Sequence, residues 1–298
     1  MSRKFLWAIL LGLILSSCTK RENHIIIQNK GSDTLVNLAQ YWAEGYKEIN
    51  PQIAVAVSGG GSGTGIAALI NETVDIANSS RKIKDEEREE AEKNTGKLVH
   101  EFIVGMDALA VFTHPNNPLK GLTIAELACI FGAEGKCEYW SDVRKTIVAG
   151  CQDNKVIRVS RQSNSGTYQY FREAILGKKK DLRLGSMDLN GSKEGIDLVE
   201  KTPCAIGYSG MGYLNPRVKA LCVAKTNDSE CIFPTLQTAI SKTYPIAREL
   251  YMYTLGKSSK AILDYMTWTQ SKQAEAITIK AGYVPAPKKV NDESIKNY

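Results

Sequence analysis

Short apolar runs alternate with longer amphipathic ones over most of this chain, and a cluster of Ser, Gly and Thr separates them. HIIIQ leads through NKGSDT to LVNLAQYWAEGYKEI, and IAVAV leads through SGGGSGTG to IAALINETV. VDIAN leads through SSRKIKD to EEREEAEKN, and KVIRVS leads through RQSNSGT to YQYFREAIL. Strand-length runs followed by helical periods predict repeated β–turn–α units, hence an α/β fold with a largely parallel sheet. Thr34, Asp85 and Thr167 stand near the predicted helix starts, where N-caps are expected.

The run EFIVGMDALAVFTHP (101 to 115) has no turn signal before Pro115, so it is expected to leave one domain and enter another. CAIGYSGMGYL and YPIARELYMYT are later strands, and SSKAILDYMTWTQSKQAEAITIKAG predicts one or two closing helices stopped at Gly282. The organisation expected is a leader over 1–17 and a tether over 18–24. Domain 1 follows over 25–107, domain 2 over 108–220, and the second part of domain 1 over 221–298.

Composition changes this picture only at the margins. The 298 residues suffice for two cores, and 43% hydrophobic with 23% charged residues is ordinary for a globular protein. The net charge of +6 comes without a Lys/Arg block interleaved with aromatics, which argues against nucleic acid as a partner. MSRK followed by FLWAILLGLIL reads as a signal segment, too short for the ~20 residues of a membrane-spanning helix. It ends in LSSC, similar to a bacterial lipobox. Cleavage before Cys18 and lipidation of its thiol are therefore expected, placing the protein in the cell envelope on a lipid anchor.

The six remaining cysteines, Cys129, Cys137, Cys151, Cys204, Cys222 and Cys231, are an even number in an exported chain and suggest disulfides. Cys129 with Cys137 and Cys222 with Cys231 are close enough to pair locally, but six cysteines allow 15 connectivities. With no CxxC and three scattered histidines, a zinc site is not expected.

The turns carry the candidate chemistry. Unpaired N–H groups at a helix start attract anions, glycine permits close approach, and Ser and Thr hydroxyls donate without adding charge. GSDT (31 to 34), GGGSGTG (59 to 65) and SNSGT (163 to 167) share these features, and SSR (79 to 81) is a weaker case. Arg81 and Arg161 lie in or beside such turns, and a guanidinium grips a tetrahedral oxyanion bidentately. One such turn is usually only a cap; several in successive units point to one small oxyanion at the carboxyl ends of the strands.

Other readings fare worse. No lysine follows the glycines as a P-loop requires. Gly63, Gly65 and Ala68 fit a dinucleotide fingerprint, but the next strand ends in Ser and Arg instead of an acid. Ser79 and Lys82 form S-x-x-K without its companion motifs. No nucleophile–base pair supports an enzyme.

The chain resembles the phosphate-binding proteins of bacterial phosphate ABC importers (PstS-type). The resemblance rests on GSDTL, YWAEGYKEINP, SGGGSGTGIAALI, VDIANSSRKIK and DALAVFTHPNNPLKGLTIAELACIFGAEGKCEYWSDV. It continues through RVSRQSNSGTYQYF, AIGYSGMGYL and YPIARELYMYT. It implies a two-domain type II periplasmic-binding fold that closes around phosphate, needs no cofactor, acts as a monomer and docks on a permease. The phosphate-binding positions implied by the resemblance are Ser32, Asp33, Thr34, Ser62, Arg161, Ser165, Gly166 and Thr167, and the chemistry of the turns adds Gly63, Ser80 and Arg81.

Two departures stand out. Well-studied members of the family carry an aspartate after VD-x-x-x-x that accepts the ligand's proton and rejects sulfate; here the position is Ser80, as in other members with SSR at this place. Asp33 or a water is the expected substitute, with helix capping the alternative for Asp33. Ser163 replaces an aspartate found in some members, which leaves Arg161 without a local ion-pair partner. The alternatives are a protein for another tetrahedral oxyanion, sulfate or molybdate, or an envelope sensor or adhesive protein on the same fold.

Overall fold

The structure, a computed structural model, describes residues 24–287. The signal segment and Cys18 lie outside the described residues. Three β–turn–α units come first: β1 (Ile25–Gly31), α1 (Val36–Ile49), β2 (Ile53–Ser58), α2 (Ser62–Ile70), β3 (Ile76–Ser79) and α3 (Asp85–Thr95). The long strand β4 (Val99–Thr113) leads to β5 (Gly121–Thr123), α4 (Ile124–Phe131), β6 (Ile157–Arg161), α5 (Gly166–Leu176), β7 (Met187–Leu189) and α6 (Ser192–Lys201). Then come β8 (Ala205–Gly210), β9 (Lys219–Ala224), α7 (Leu236–Ile240), β10 (Ala247–Leu255), α8 (Lys260–Trp268), α9 (Lys272–Lys280) and β11 (Val284–Pro285).

Strand pairing runs β2-β1-β3-β10-β4-β8-β6-β7. β4 changes partners midway. Its residues up to Ala108 pair antiparallel with β10, and Leu109 onward pairs with β8. The chain thus passes from one half-sheet to the other within one strand, as the turn-free run 101 to 115 predicts, and β10 lies beside β4 in the opposite direction.

The sheet is mixed, not largely parallel. β1 with β2, β1 with β3, β6 with β7, β6 with β8 and β5 with β9 are parallel. β4 is antiparallel to every partner, because it enters the second half against the direction of the β–turn–α strands around it.

The strand pairing also differs from the expected boundary at 220. β9 pairs with β4 residues 111–113 and with β5, so the chain stays with the second half-sheet until β10. An apolar run such as KALCVA reports burial but not which sheet accepts it.

Apolar faces follow these halves. Ile27, Leu38, Trp42, Phe102, Met252 and Tyr265 pack on one face of the first half-sheet; Ile66, Leu69, Ala77 and Tyr253 pack on the other. The second half buries Phe131, Trp140, Phe171 and Tyr208, with Phe171 stacked on Tyr208 at 3.8 Å between ring centroids. Three disulfides staple this half: Cys129–Cys137, Cys151–Cys204 and Cys222–Cys231. The two short-range pairs match the sequence spacing, and the third joins the two cysteines that remain.

Candidate anion-binding site

The turns after β1, β2, β3 and β6 meet at the junction of the halves. The Ser32 amide donates to the Asn78 carbonyl at 2.9 Å, which holds the β1 turn over the end of β3. Ser32 Oγ donates to Ser80 Oγ at 2.9 Å, and Ser80 Oγ lies 3.4 Å from Ser62 Oγ. The Ser80 amide donates to Ser62 Oγ at 3.1 Å. Thr34 Oγ1 lies 2.8 Å from Thr167 Oγ1, which joins the first half to the second. Gly166 sits against the same group: a Cβ there would lie 2.3 Å from Ser62 Oγ and 2.8 Å from Ser80 Oγ.

Ser32, Thr34, Ser62, Ser80, Ser165 and Thr167 are all buried. Ser165 caps α5, its Oγ accepting from the Thr167 and Tyr168 amides. Buried hydroxyls cost free energy unless they are hydrogen-bonded, and six in one cluster with a helix start form a donor-rich, uncharged anion cradle.

The capping expectations shift accordingly. Thr34 and Thr167 bond each other instead of capping, Asp85 is the first residue of α3 after Lys84, and α1 has Leu35 at its N-cap with no side-chain bond. Sequence distance to the helix start does not reveal that a hydroxyl has a better partner across the molecule.

Asp33 does not cap a helix, and each of its carboxyl oxygens holds one protein donor. Its Oδ1 accepts from the Gly60 amide at 2.8 Å and its Oδ2 from Arg161 Nη2 at 3.0 Å. Arg161 therefore does have an ion-pair partner, 128 residues away, which local sequence could not show. The rest of its guanidinium donates to the Leu189 and Asn190 carbonyls and to Ser192 Oγ. Burial pulls the Arg161 pKa down, and the Asp33 charge opposes that.

Arg81 is not brought into the cluster by any hydrogen bond. Its two terminal nitrogens fork onto Glu87 at 2.7 and 2.6 Å, with a further bond to the Lys82 carbonyl.

The glycine loop serves a different approach from the one expected. The Gly63 amide donates to the Asn164 carbonyl at 2.9 Å, so this N–H faces the second half of the protein. Asn164 Nδ2 donates in return to the Gly60 carbonyl at 2.9 Å and to Thr64 Oγ1 at 3.1 Å. Gly61 has φ 93°, and a Cβ there would lie 2.8 Å from the Asn164 carbonyl oxygen. Side chains are excluded here because another stretch of this chain fills the space.

Sequence reasoning missed Arg248 and Asp107. They face each other directly in the β10–β4 register. Asp107 Oδ2 accepts from Arg248 Nε at 3.1 Å and Nη2 at 2.8 Å, and its Oδ1 accepts from the Met211 amide at 3.0 Å. Arg248 Nη1 donates to the Ser80 carbonyl at 3.1 Å, and Nη2 to Thr34 Oγ1 at 3.4 Å. Burial pushes the Asp107 carboxyl up, while the Arg248 charge and the Met211 amide pull it down. A partial signal was present: Asp107 and Arg248 stand within long apolar runs, where a charge is buried only with a partner. Tyr213 and Tyr283 were missed too; their hydroxyls donate to the Asp33 and Thr34 carbonyls.

Two half-sheets joined through β4 and β10, with hydroxyl-bearing turns from both meeting at the junction, define a periplasmic-binding-protein-like fold. Residues 19–273 match the model described as the PBP superfamily domain, and the chain belongs to that family.

Among its relatives is the phosphate-binding protein PstS of Pseudomonas aeruginosa. It is 35% identical over 282 residues, which cover 91% of this chain and 86% of that protein. Protein SphX of Synechococcus elongatus is 33% identical over 276 residues, 89% and 78% of the two chains. Among solved structures, an ABC-type phosphate transport receptor from Vibrio cholerae superposes with a TM-score of 0.68 at 25% identity. The match covers 87% of this chain and 100% of that one. A substrate-binding protein from Clostridium perfringens shares the fold, with a TM-score of 0.75 at 24% identity, covering 88% and 100%.

Proposed function

We propose that this protein binds inorganic phosphate between its two halves and delivers it to an ABC importer, making and breaking no covalent bond. The observation that carries this reading is the buried hydroxyl cluster. Ser32, Thr34, Ser62 and Ser80 from the first half meet Gly166 and Thr167 from the second, at the helix start that Ser165 caps. Such a cluster offers donors from several directions to a small tetrahedral anion, and hydroxyls accept the proton of hydrogenphosphate as well as donate. The relatives named for phosphate binding, at 35% identity over most of the chain, support the same ligand.

In this reading Asp33 and Arg161 join the halves as they close. The protein works as a monomer held to the envelope through Cys18. Residues 25–108 and 247–287 make one lobe and 109–246 the other.

A second reading, sulfate or another tetrahedral oxyanion, is favoured by one feature. Ser80 stands where a proton-accepting carboxylate is expected, and both oxygens of Asp33 already hold protein donors. Calorimetry of desalted protein with phosphate, sulfate and molybdate separates the two. Phosphate binding tighter than about 100 μM, a free energy near −5.5 kcal/mol, with weak sulfate competition is the expected result. Failure to bind phosphate at that level overturns the reading.

A further inference from the structure

The hydroxyl cluster is neutral, so any formal positive charge beside a bound oxyanion comes from outside it. Three arginines are near it, and their hydrogen bonds distinguish them. Arg81 is forked onto Glu87. Arg161 bonds Asp33, Ser192 and the Leu189 and Asn190 carbonyls, none of them a hydroxyl of the cluster. Arg248 reaches the cluster itself, through Thr34 Oγ1, whose hydroxyl partner is Thr167 Oγ1, and through the carbonyl of Ser80. Its side chain is 1% exposed and that of Asp107 is 0% exposed.

We infer that Arg248 is the cation that faces the bound anion, and that Asp107 is the positioning residue that aims it. This rests on the oxyanion reading above and adds to it. Asp107 Oδ2 holds both Nε and Nη2 of Arg248, which fixes the plane of the guanidinium. Gly210 keeps this arrangement compact. A Cβ there would lie 2.9 Å from Asp107 Oδ2 and 2.9 Å from Thr34 Cγ2.

The placement has a mechanical consequence. Arg248 and Asp107 lie opposite each other on β10 and β4, the strands through which the chain passes between the half-sheets. The charge therefore sits on the connecting strands and not on either set of turns. Closure brings the hydroxyls of both halves to a cation already in place. A preorganised donor of this kind avoids the cost of ordering a long side chain on binding.

Removing one partner of a buried ion pair leaves the other unpaired and endangers folding, whereas neutralising both is tolerated better. The test therefore uses the double variant Asp107→Asn with Arg248→Met, beside Arg248→Lys and Arg161→Met, each in the full chain. Melting temperature is read by circular dichroism and phosphate affinity by calorimetry. The double variant is expected to fold and to bind phosphate about 100-fold more weakly, the scale of losing a hydrogen bond to a charge. Arg248→Lys is expected to recover part of that loss, which a merely structural role would not produce, and Arg161→Met to lose less than the double variant.

A folded double variant that binds phosphate within about threefold of the unsubstituted protein overturns the inference. So does a larger loss in Arg161→Met than in the double variant. If the unsubstituted protein binds sulfate but not phosphate, the same series run with sulfate tests Arg248 while the phosphate reading falls. If it binds neither, both readings fall.

Discussion

The side-chain amide of Asn164, between β6 and α5, donates to the carbonyl of Gly60, between β2 and α2, at 2.9 Å. With Gly63 N to the Asn164 carbonyl and Asn164 Nδ2 to Thr64 Oγ1, it forms a three-bond clasp between the halves. Asn164→Ala removes two of those bonds and touches no hydroxyl of the cluster. The expected result is about 30-fold weaker phosphate binding through faster release, given about 1 kcal/mol for each of the two hydrogen bonds. Small-angle scattering should show a more open ligand-free protein. Unchanged scattering and an unchanged dissociation rate would count against the clasp.

Gly166 is where the two halves come closest to the serines. An added methyl would lie 2.3 Å from Ser62 Oγ, and Gly166 opens α5 without a positive φ. Gly166→Ala should therefore lower the melting temperature and lose most phosphate binding, because the methyl displaces the buried Ser62 and Ser80 hydroxyls. Binding within a few-fold of the unsubstituted protein would show that the cradle does not need this close approach.

The disulfides should differ in worth. Cys151–Cys204 closes 53 residues, whereas Cys222–Cys231 closes 9. Loop-closure entropy assigns about 4 kcal/mol to the first and about 2.6 kcal/mol to the second. Replacing both cysteines of each pair with serine and measuring denaturant unfolding should give the larger loss for Cys151/Cys204. Equal losses would argue that native packing, and not chain entropy, sets their contribution.

Acid stability should depend on two carboxylates outside the cluster. Burial pushes Glu87 up, but the hydrogen bonds from Arg81 and the Lys84 amide, with the Arg81 charge, leave its pKa below the ordinary 4.5. Burial likewise raises Glu126, and Arg144 with Thr123 pulls it below 4.5. A carboxylate with a depressed folded pKa contributes stability above its unfolded pKa and loses it as pH falls through the folded value. Stability should therefore fall below about pH 5, and Glu87→Gln should be less stable at pH 7 with a shallower decline between pH 5 and 3. Parallel stability–pH curves for the two proteins would refute the assignment.

Much of the site was legible because its members announce themselves locally. Ser32, Thr34, Ser62, Ser80, Ser165, Gly166 and Thr167 all stand in Ser/Gly/Thr turns between an apolar run and a helical period. That pattern follows from the need to pair backbone groups at strand ends and helix starts. Arg81 stands in such a turn as well, yet its guanidinium goes to Glu87 six residues on, inside the next helix. A turn position constrains where a side chain begins, not which acceptor it finds.

By itself, then, the sequence determined the β–turn–α units, the crossing strand around 101–115 and the hydroxyl character of the turns. These depend on periodicity and on the hydrogen-bonding capacity of short segments. The tertiary structure decided the partners. Arg161 meets Asp33 across 128 residues, where the turns after β6 and β1 converge, and Arg248 meets Asp107 across 141, because β10 pairs with β4 in the sheet. Strand order is set by how whole apolar faces pack, and no local pattern encodes which buried charge will face which. The glycines of SGGGSGTG show the same division: the sequence required a bare backbone there, and the fold supplied Asn164 as the group that approaches it.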